Sequence, residues 1–211
     1  EPTDTAAQNL TNVNVNHREA FNQGGGIYNL GTVTAIGSSI SRNAAGSRGG
    51  GVFNHGDVNA INTTISTNTA VSRGGGLYNE RFDSSSVNQT IFPSRASGNF
   101  YGLNTTIAYN FAGARGGGLD QEGGGSFQLG NSIVDQNTAE DNAATDDING
   151  SINTLGYNFF GFVSDPAASL LDTTDVAANV TDGVTDAGLL PRAASNNGTL
   201  VNQLNQTLEV P

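Results

Sequence analysis

Apolar residues recur along this chain in short alternating runs, and the runs themselves recur. Val33-Thr34-Ala35-Ile36 is followed by Ser39-Ile40-Ser41-Arg42-Asn43. One period later Val58-Asn59-Ala60-Ile61 is followed by Thr64-Ile65-Ser66-Thr67-Asn68. Each run is bounded by Gly, Asn or Ser, which are strand and turn signals rather than helix signals. The period is set by Gly-Gly-Gly-Ile-Tyr-Asn at 24–29, Gly-Gly-Gly-Val-Phe-Asn at 49–54 and Gly-Gly-Gly-Leu-Tyr-Asn at 74–79, which start 25 residues apart. A decayed copy, Gly-Gly-Gly-Leu-Asp-Gln, stands at 116–121. Val15, Ile40, Ile65 and Ile107 each precede a triplet by nine residues.

A fixed period of this length with about three short strands per coil predicts an all-β fold: a single-stranded right-handed parallel β-helix (β-solenoid). In such a stack each residue lies about 4.8 Å above its counterpart one coil earlier. Val15, Ile40, Ile65, Ile107 and Val134 then form one internal column. Val33, Val58, Phe100 and Phe127 form a second, and Ile27, Val52, Leu77 and Leu119 a third. Asn29, Asn54, Asn79 and Gln121 share a corner phase, as do Asn43, Asn68, Asn110 and Asn137. Stacked amides at such corners hydrogen-bond from coil to coil.

Three regions follow. Residues 1–9 form a polar N-terminal extension suited to docking on a neighbour. The β-helix occupies 10–162. Its third coil is 17 residues longer than its neighbours, which places an insertion around 80–99. Residues 163–211 lose the period and read as irregular coils and a C-terminal cap, as solenoids require at an open edge.

The composition narrows the function classes. The formal charge is −11, all eight cations are Arg, and the sequence pI is about 4.2. Duplex nucleic acid and anionic membranes need a basic face and are disfavoured. No apolar run is long enough to span a membrane. Without Cys there are no disulfide staples, so stability comes from the stack. The chain begins at Glu1 and contains no Met. An export signal removed from its front is expected, and with the acidic, Asn/Thr/Ser/Gly-rich composition this points to an extracellular or cell-surface location.

Asn62 to Ala70, Asn131-Ser132-Ile133-Val134 with Asn137-Thr138-Ala139, Asp147-Ile148-Asn149-Gly150 and Leu155-Gly156-Tyr157-Asn158 follow one another in a recognisable order. Asp186-Ala187-Gly188-Leu189-Leu190 with Asn196-Asn197-Gly198-Thr199-Leu200 closes it. The whole resembles bacterial secreted right-handed β-helix proteins of the choice-of-anchor Q type, and more loosely polymorphic outer-membrane-protein repeats. The resemblance implies the fold and export, and brings no catalytic residues with it.

Candidate chemistry is sparse. Arg48, Arg73 and Arg115 each precede a glycine triplet and would form a cationic stripe, each with a carboxylate partner or a ligand. Arg81 and Arg95 lie in the insertion. Asp120 and Glu122 follow the fourth triplet, with Asp120 in the phase of Tyr28, Phe53 and Tyr78. Asp141, Asp146 and Asp147, with Asp135 near, form an acidic loop suited to calcium, the one cofactor to consider. His17 and His55 lie in different phases, which argues against a zinc pair. The reading carried forward is a non-enzymatic extracellular structural or adhesive solenoid that assembles head-to-tail with itself into a surface filament or matrix fibre. The alternative is a polysaccharide-binding protein, or a polysaccharide lyase or glycoside hydrolase, using the insertion and the Arg stripe.

Overall fold

The computed structural model describes residues 8–80, 98–123, 125–141, 146–162 and 171–177, and those residues contain strands and turns but no helix. The strands pair in parallel, in four sheets of six, seven, five and five strands, and the chain winds as a β-solenoid of about five turns. One turn runs through Thr32–Ile36, Ser39–Ser41 and Ala44–Ala45, then past a glycine triplet into Val52–Asn54. The alternation predicts about three strands per coil, whereas there are four. The additional one is the two-residue strand, too short to display any alternation.

Corners fall on residues with left-handed backbone. Asn12, Gly37, Asn62, Asn104 and Asn131 share one, with φ between 47° and 58°. His17, Arg42, Thr67, Tyr109 and Gln136 share the next, with φ between 52° and 58°. The first glycine of each triplet makes a third, as at Gly49 with φ 66°. The other two glycines of a triplet serve close approach instead. A Cβ on Gly51 would stand 2.5 Å from the Gly76 carbonyl oxygen and 2.9 Å from Nδ2 of Asn68.

Parallel register stacks the apolar columns. Ile40, Ile65, Ile107 and Val134 are aligned and buried, as are Val52, Leu77 and Leu119, and Val58, Phe100 and Phe127. The N-terminal coil is different. Its strands Gln8–Thr11, Asn14–Asn16 and Glu19–Ala20 stand first in their sheets, and each pairs on one side among the described residues. Leu10, Val15 and Ile27 are only partly buried there, and together with Val33 they line a cavity of about 350 Å³. Column burial increases from this open end inward.

The long coil keeps its register around the insertion. The Glu80 N–H donates to the Asn54 carbonyl (2.9 Å), the Gly98 N–H to the Glu80 carbonyl (3.1 Å), and the Asn99 N–H to the Gly56 carbonyl (2.8 Å). Strand Asn99–Leu103 then pairs with Asp57–Ile61. The insertion is therefore 81–97, narrower than the expected 80–99, and it lies outside the described residues. At the other end, Val176–Ala177 pairs with Phe159–Phe160, so one sheet continues into the segment expected to be irregular.

Polar ladders run up the corners in one direction. The backbone and side-chain N–H groups of Asn43 both donate to Oδ1 of Asn68 (3.0 Å each), those of Asn68 to Asn110, and those of Asn110 to Asn137. Asn137 donates in the same way to Oδ1 of Asp147 (3.0 and 2.8 Å). On another corner Asn29 donates to Asn54 and Asn54 to Asn79. On a third, the Thr105 N–H donates to Ser132, the Ser132 N–H to Asn158, and Asn158 to Oδ1 of Asp175. Among the described residues, two ladders thus end, on their C-terminal side, at a carboxylate that accepts and has no proton to pass on when ionised.

Candidate functional site

The most concentrated chemistry lies on the outer side of the strands that follow the glycine triplets. Register places Gln23, Arg48, Arg73 and Arg115 in one column. Tyr28, Phe53, Tyr78 and Asp120 form the next, followed in the next coil by Asn149. Two residues further along each coil stand Leu30, His55, Glu80 and Glu122. The glycine turn folds the chain sharply enough to bring these three columns side by side.

The aromatic column stacks, with Tyr28 and Phe53 centroids 4.9 Å apart and Phe53 and Tyr78 5.6 Å apart. Arg48 and Arg73 lie 5.2 and 5.1 Å from the Tyr78 ring centroid, within cation–π range. Asp120 takes the aromatic place in the fourth coil and is fully buried. It accepts from Nε of Arg73 (2.7 Å) and from Nδ2 of Asn149 (2.6 Å). Arg73 also reaches Glu122 (3.0 Å). Arg48 reaches Glu80 (3.0 Å), Glu122 (3.5 Å) and the Tyr78 hydroxyl (3.1 Å). The Tyr78 hydroxyl donates to Glu122, and His55 contacts Glu80 through Nε2.

The electrostatics follow from this packing. Burial and the bond to Glu122 push the Tyr78 hydroxyl well above the ordinary phenol range, so it stays a proton donor. The same bond is the main cause that holds Glu122 below the usual carboxylate range, assisted by Arg73 and Arg48 against partial burial. Burial works against the charge on Arg73, but its bond to Asp120 and the surrounding anions outweigh it and raise its pKa. Arg48 and Arg73 are thus matched by Glu80, Asp120 and Glu122. The part of the expected cationic stripe that they form is neutralised from within. Glu122 and Arg48, with side chains 43% and 30% exposed, are the members that meet solvent most. They offer an acceptor and a donor for a hydroxyl-rich solute.

Arg115 is exposed and forms no ion pair with any described residue. Arg81 and Arg95 lie outside the described residues. Sequence reasoning passed over Tyr78, Glu80, His55 and Asn149. Their signal was weak, because Arg48 and Arg73 pair diagonally, with residues one or two coils up and several positions along, rather than within their own column.

The described carboxylates of the acidic loop are placed as follows. Asp141 is exposed. Asp146 accepts from the Ala139 N–H (2.6 Å), and burial raises its pKa. Asp147 spends Oδ1 on Asn137 and Oδ2 on the Phe162 N–H (2.6 Å). It stands in the phase of Gly118, the third triplet glycine, and packs with Asp135 against Gly161. Burial pushes its pKa up to about 7, opposed by the Asn137 bonds and reinforced by Asp135. Among the described residues no three His, Asp or Glu side chains converge as metal ligands. No described helix is long and apolar enough to cross a membrane. Searches of protein-family models, curated proteins and solved structures return no match to this chain, so its site is read from its own geometry.

Proposed function

We propose that the protein is an extracellular structural or adhesive solenoid that assembles with itself through its ends. The observation that carries this reading is the contrast between the side of the stack and its N-terminal end. Along the side, Arg48, Arg73, Asp120 and the corner Asn residues are spent on joining coils. At the end, strand edges that pair on one side only among the described residues, with half-buried Leu10, Val15 and Ile27, surround a largely apolar cavity. Open parallel edges over half-buried apolar columns favour docking of another chain. Export is supported by the acidic, Asn/Thr/Ser/Gly-rich composition and by the resemblance to secreted β-helix proteins. Sedimentation velocity across a hundredfold concentration range, with negative-stain imaging, tests the assembly. A concentration-dependent rise in mass is expected, and a monomer at every concentration overturns the reading.

A second reading, polysaccharide binding, is favoured by one feature. Glu122 and Arg48 face solvent at the root of the 81–97 insertion, beside a stacked aromatic column. A polysaccharide array with reducing-sugar and unsaturated-product assays decides it, and Glu122→Gln should lower any binding found. Neither binding nor turnover on the array removes this reading.

A further inference from the structure

We propose that residues 199–208 of this chain dock on the outside of its own last coils, along an apolar strip made by Leu103, Ile133, Leu155, Tyr157, Phe159 and Val176. This contact lies on the flank of the stack and is independent of how its ends assemble.

The strip arises where two outward-facing columns meet at a corner. In one of them Asn14, Ser39, Thr64 and Thr106 give way, in register, to Ile133, Phe159 and Val176. These last three face outward, because their neighbours Val134, Phe160 and Ala177 fill the core. In the other column Leu103 pairs with Gly130, and Leu155 stands one coil further on. A Cβ on Gly130 would lie 3.1 Å from Cβ of Leu155 and 3.3 Å from Cδ1 of Leu103, so the two leucines close over the glycine. Leu155, Tyr157 and Phe159 alternate around the corner, with buried Gly156 and Asn158 between them, and join the columns into one surface. Leu155 is 50% exposed and Tyr157 71%. Apolar residues grouped in this way mark a contact site, whereas single ones do not.

Tyr157 is the second observation. The Asn131 N–H donates to the Gly156 carbonyl (3.0 Å), which sets Tyr157 above Asn131 in the corner column of Asn12, Gly37, Asn62 and Asn104. It shares their left-handed backbone, with φ 59°. Asn and Gly accept that conformation readily, whereas a bulky aromatic is strained in it and needs a compensating contact. Its side chain makes no hydrogen bond and no ring contact with any described residue.

The occupant follows from where the described chain stops and from what comes after it. Val176–Ala177 is the last strand of the sheet that carries Ile133 and Phe159, so the chain leaves the stack beside the strip. Residues 199–208 set Leu200, Val201, Leu204 and Leu208 among Thr, Asn and Gln, and carry no charge that an apolar face would have to desolvate. The link 178–198 can extend about 3.3 Å per residue, far more than the rise of about 4.8 Å for each coil it must pass. On that link Arg192 is the only cation after Arg115. Asp172 and Asp175 stand beside the strip, and neither pairs with a described cation. The other segments outside the described residues fit less well. Residues 1–7 and 163–170 carry Glu1, Asp4 and Asp165, and 81–97 leaves and rejoins the stack at the opposite end of strand Asn99–Leu103.

The chain contains no Trp and no Cys, so introduced reporters are unique. Tyr157→Trp should emit to the blue of Val71→Trp, a comparison on another side of the stack, and by the same amount at every protein concentration. Adding Leu200→Asp, Leu204→Asp and Leu208→Asp to Tyr157→Trp should move its emission to that of Val71→Trp with the circular dichroism unchanged. An emission like that of Val71→Trp from the start means a bare strip and overturns the proposal. A blue shift that survives the three tail substitutions, or one that appears only as concentration rises, assigns the strip to another segment or to a second copy and equally overturns it. A second measurement leaves the tail apolar. Tyr157→Cys is combined in turn with Leu200→Cys, Leu204→Cys and Leu208→Cys and oxidised at high dilution. At least one pair should form an intramolecular disulfide, while Val71→Cys with the same three should form none. Failure of every Tyr157→Cys pair to link overturns the docking.

Discussion

Asp147 closes a ladder of amides with a carboxylate, and replacing it with Asn separates the charge from the hydrogen bonds. Its proton is held far more tightly in the folded chain, with a pKa near 7 against an ordinary 3.8. The group therefore favours folding most at low pH, and that contribution is lost as the pH rises from about 4 through 7. Above that range the folded chain carries a buried anion beside Asp135. The whole displacement is worth on the order of 4 kcal/mol at about 1.4 kcal/mol per pH unit. Roughly 2.5 kcal/mol of it falls between pH 5 and pH 8. In Asp147→Asn, Oδ1 remains to accept both bonds from Asn137, while the bond from the Phe162 N–H to Oδ2 is given up. That loss costs about 1–2 kcal/mol and does not depend on pH. The stability of the variant relative to the native chain should therefore climb by roughly 2.5 kcal/mol between pH 5 and pH 8, from lower than native to higher. Urea unfolding followed by circular dichroism at half-unit pH steps measures it, with a constant m-value as the check that one transition is being compared. An offset that stays the same at every pH would refute the argument.

Other consequences are quicker to state. Asn110→Ala strands the Asn68 N–H groups and the Ile65 carbonyl inside the stack, so it should cost about 2–4 kcal/mol by thermal unfolding. Thr67 holds φ at 54°, where a β-branched side chain is strained, and Thr67→Asn should raise stability by about 0.5–1 kcal/mol unless the Thr67 hydroxyl bond to the Ser66 carbonyl matters more. A lower melting temperature would show that it does. Tyr78→Phe removes the bond that keeps Glu122 ionised, so the Glu122 carboxyl resonance should titrate at higher pH in the variant. Stability from Glu122 is present above the ordinary Glu range and lost as the pH falls through its lowered value. The variant should lose it at a higher pH than the native chain.

The coil was legible because its period is carried by residue types whose reasons are simple. A branched apolar residue every coil fills a column, and Asn at 43, 68, 110 and 137 marks a corner. Two things were not legible. Ala44–Ala45 and its counterparts are strands only because neighbouring coils supply partners, and two residues hold no periodicity. The Arg partners are displaced because the glycine turn swings residues 53–55 against residue 48. Arg48 therefore meets Glu80 and not a residue 25 positions away. Asp147 is the clearest case. It does the work of a corner Asn from a glycine position, and column counting assigns it to the wrong place.

The one-way ladders also limit how such a chain can change length. An interior rung accepts on its side-chain oxygen from below, and donates to the rung above and to a backbone carbonyl below, in the same geometry as its neighbours. A whole 25-residue unit such as 49–73 could be duplicated or lost with every new neighbour meeting the group it expects. The same unit added after Asp147 would find, once that carboxyl is ionised, no side-chain donor beneath it. Gene duplication can lengthen this solenoid from the middle, whereas extension past the C-terminal coils would first require those acids to become amides.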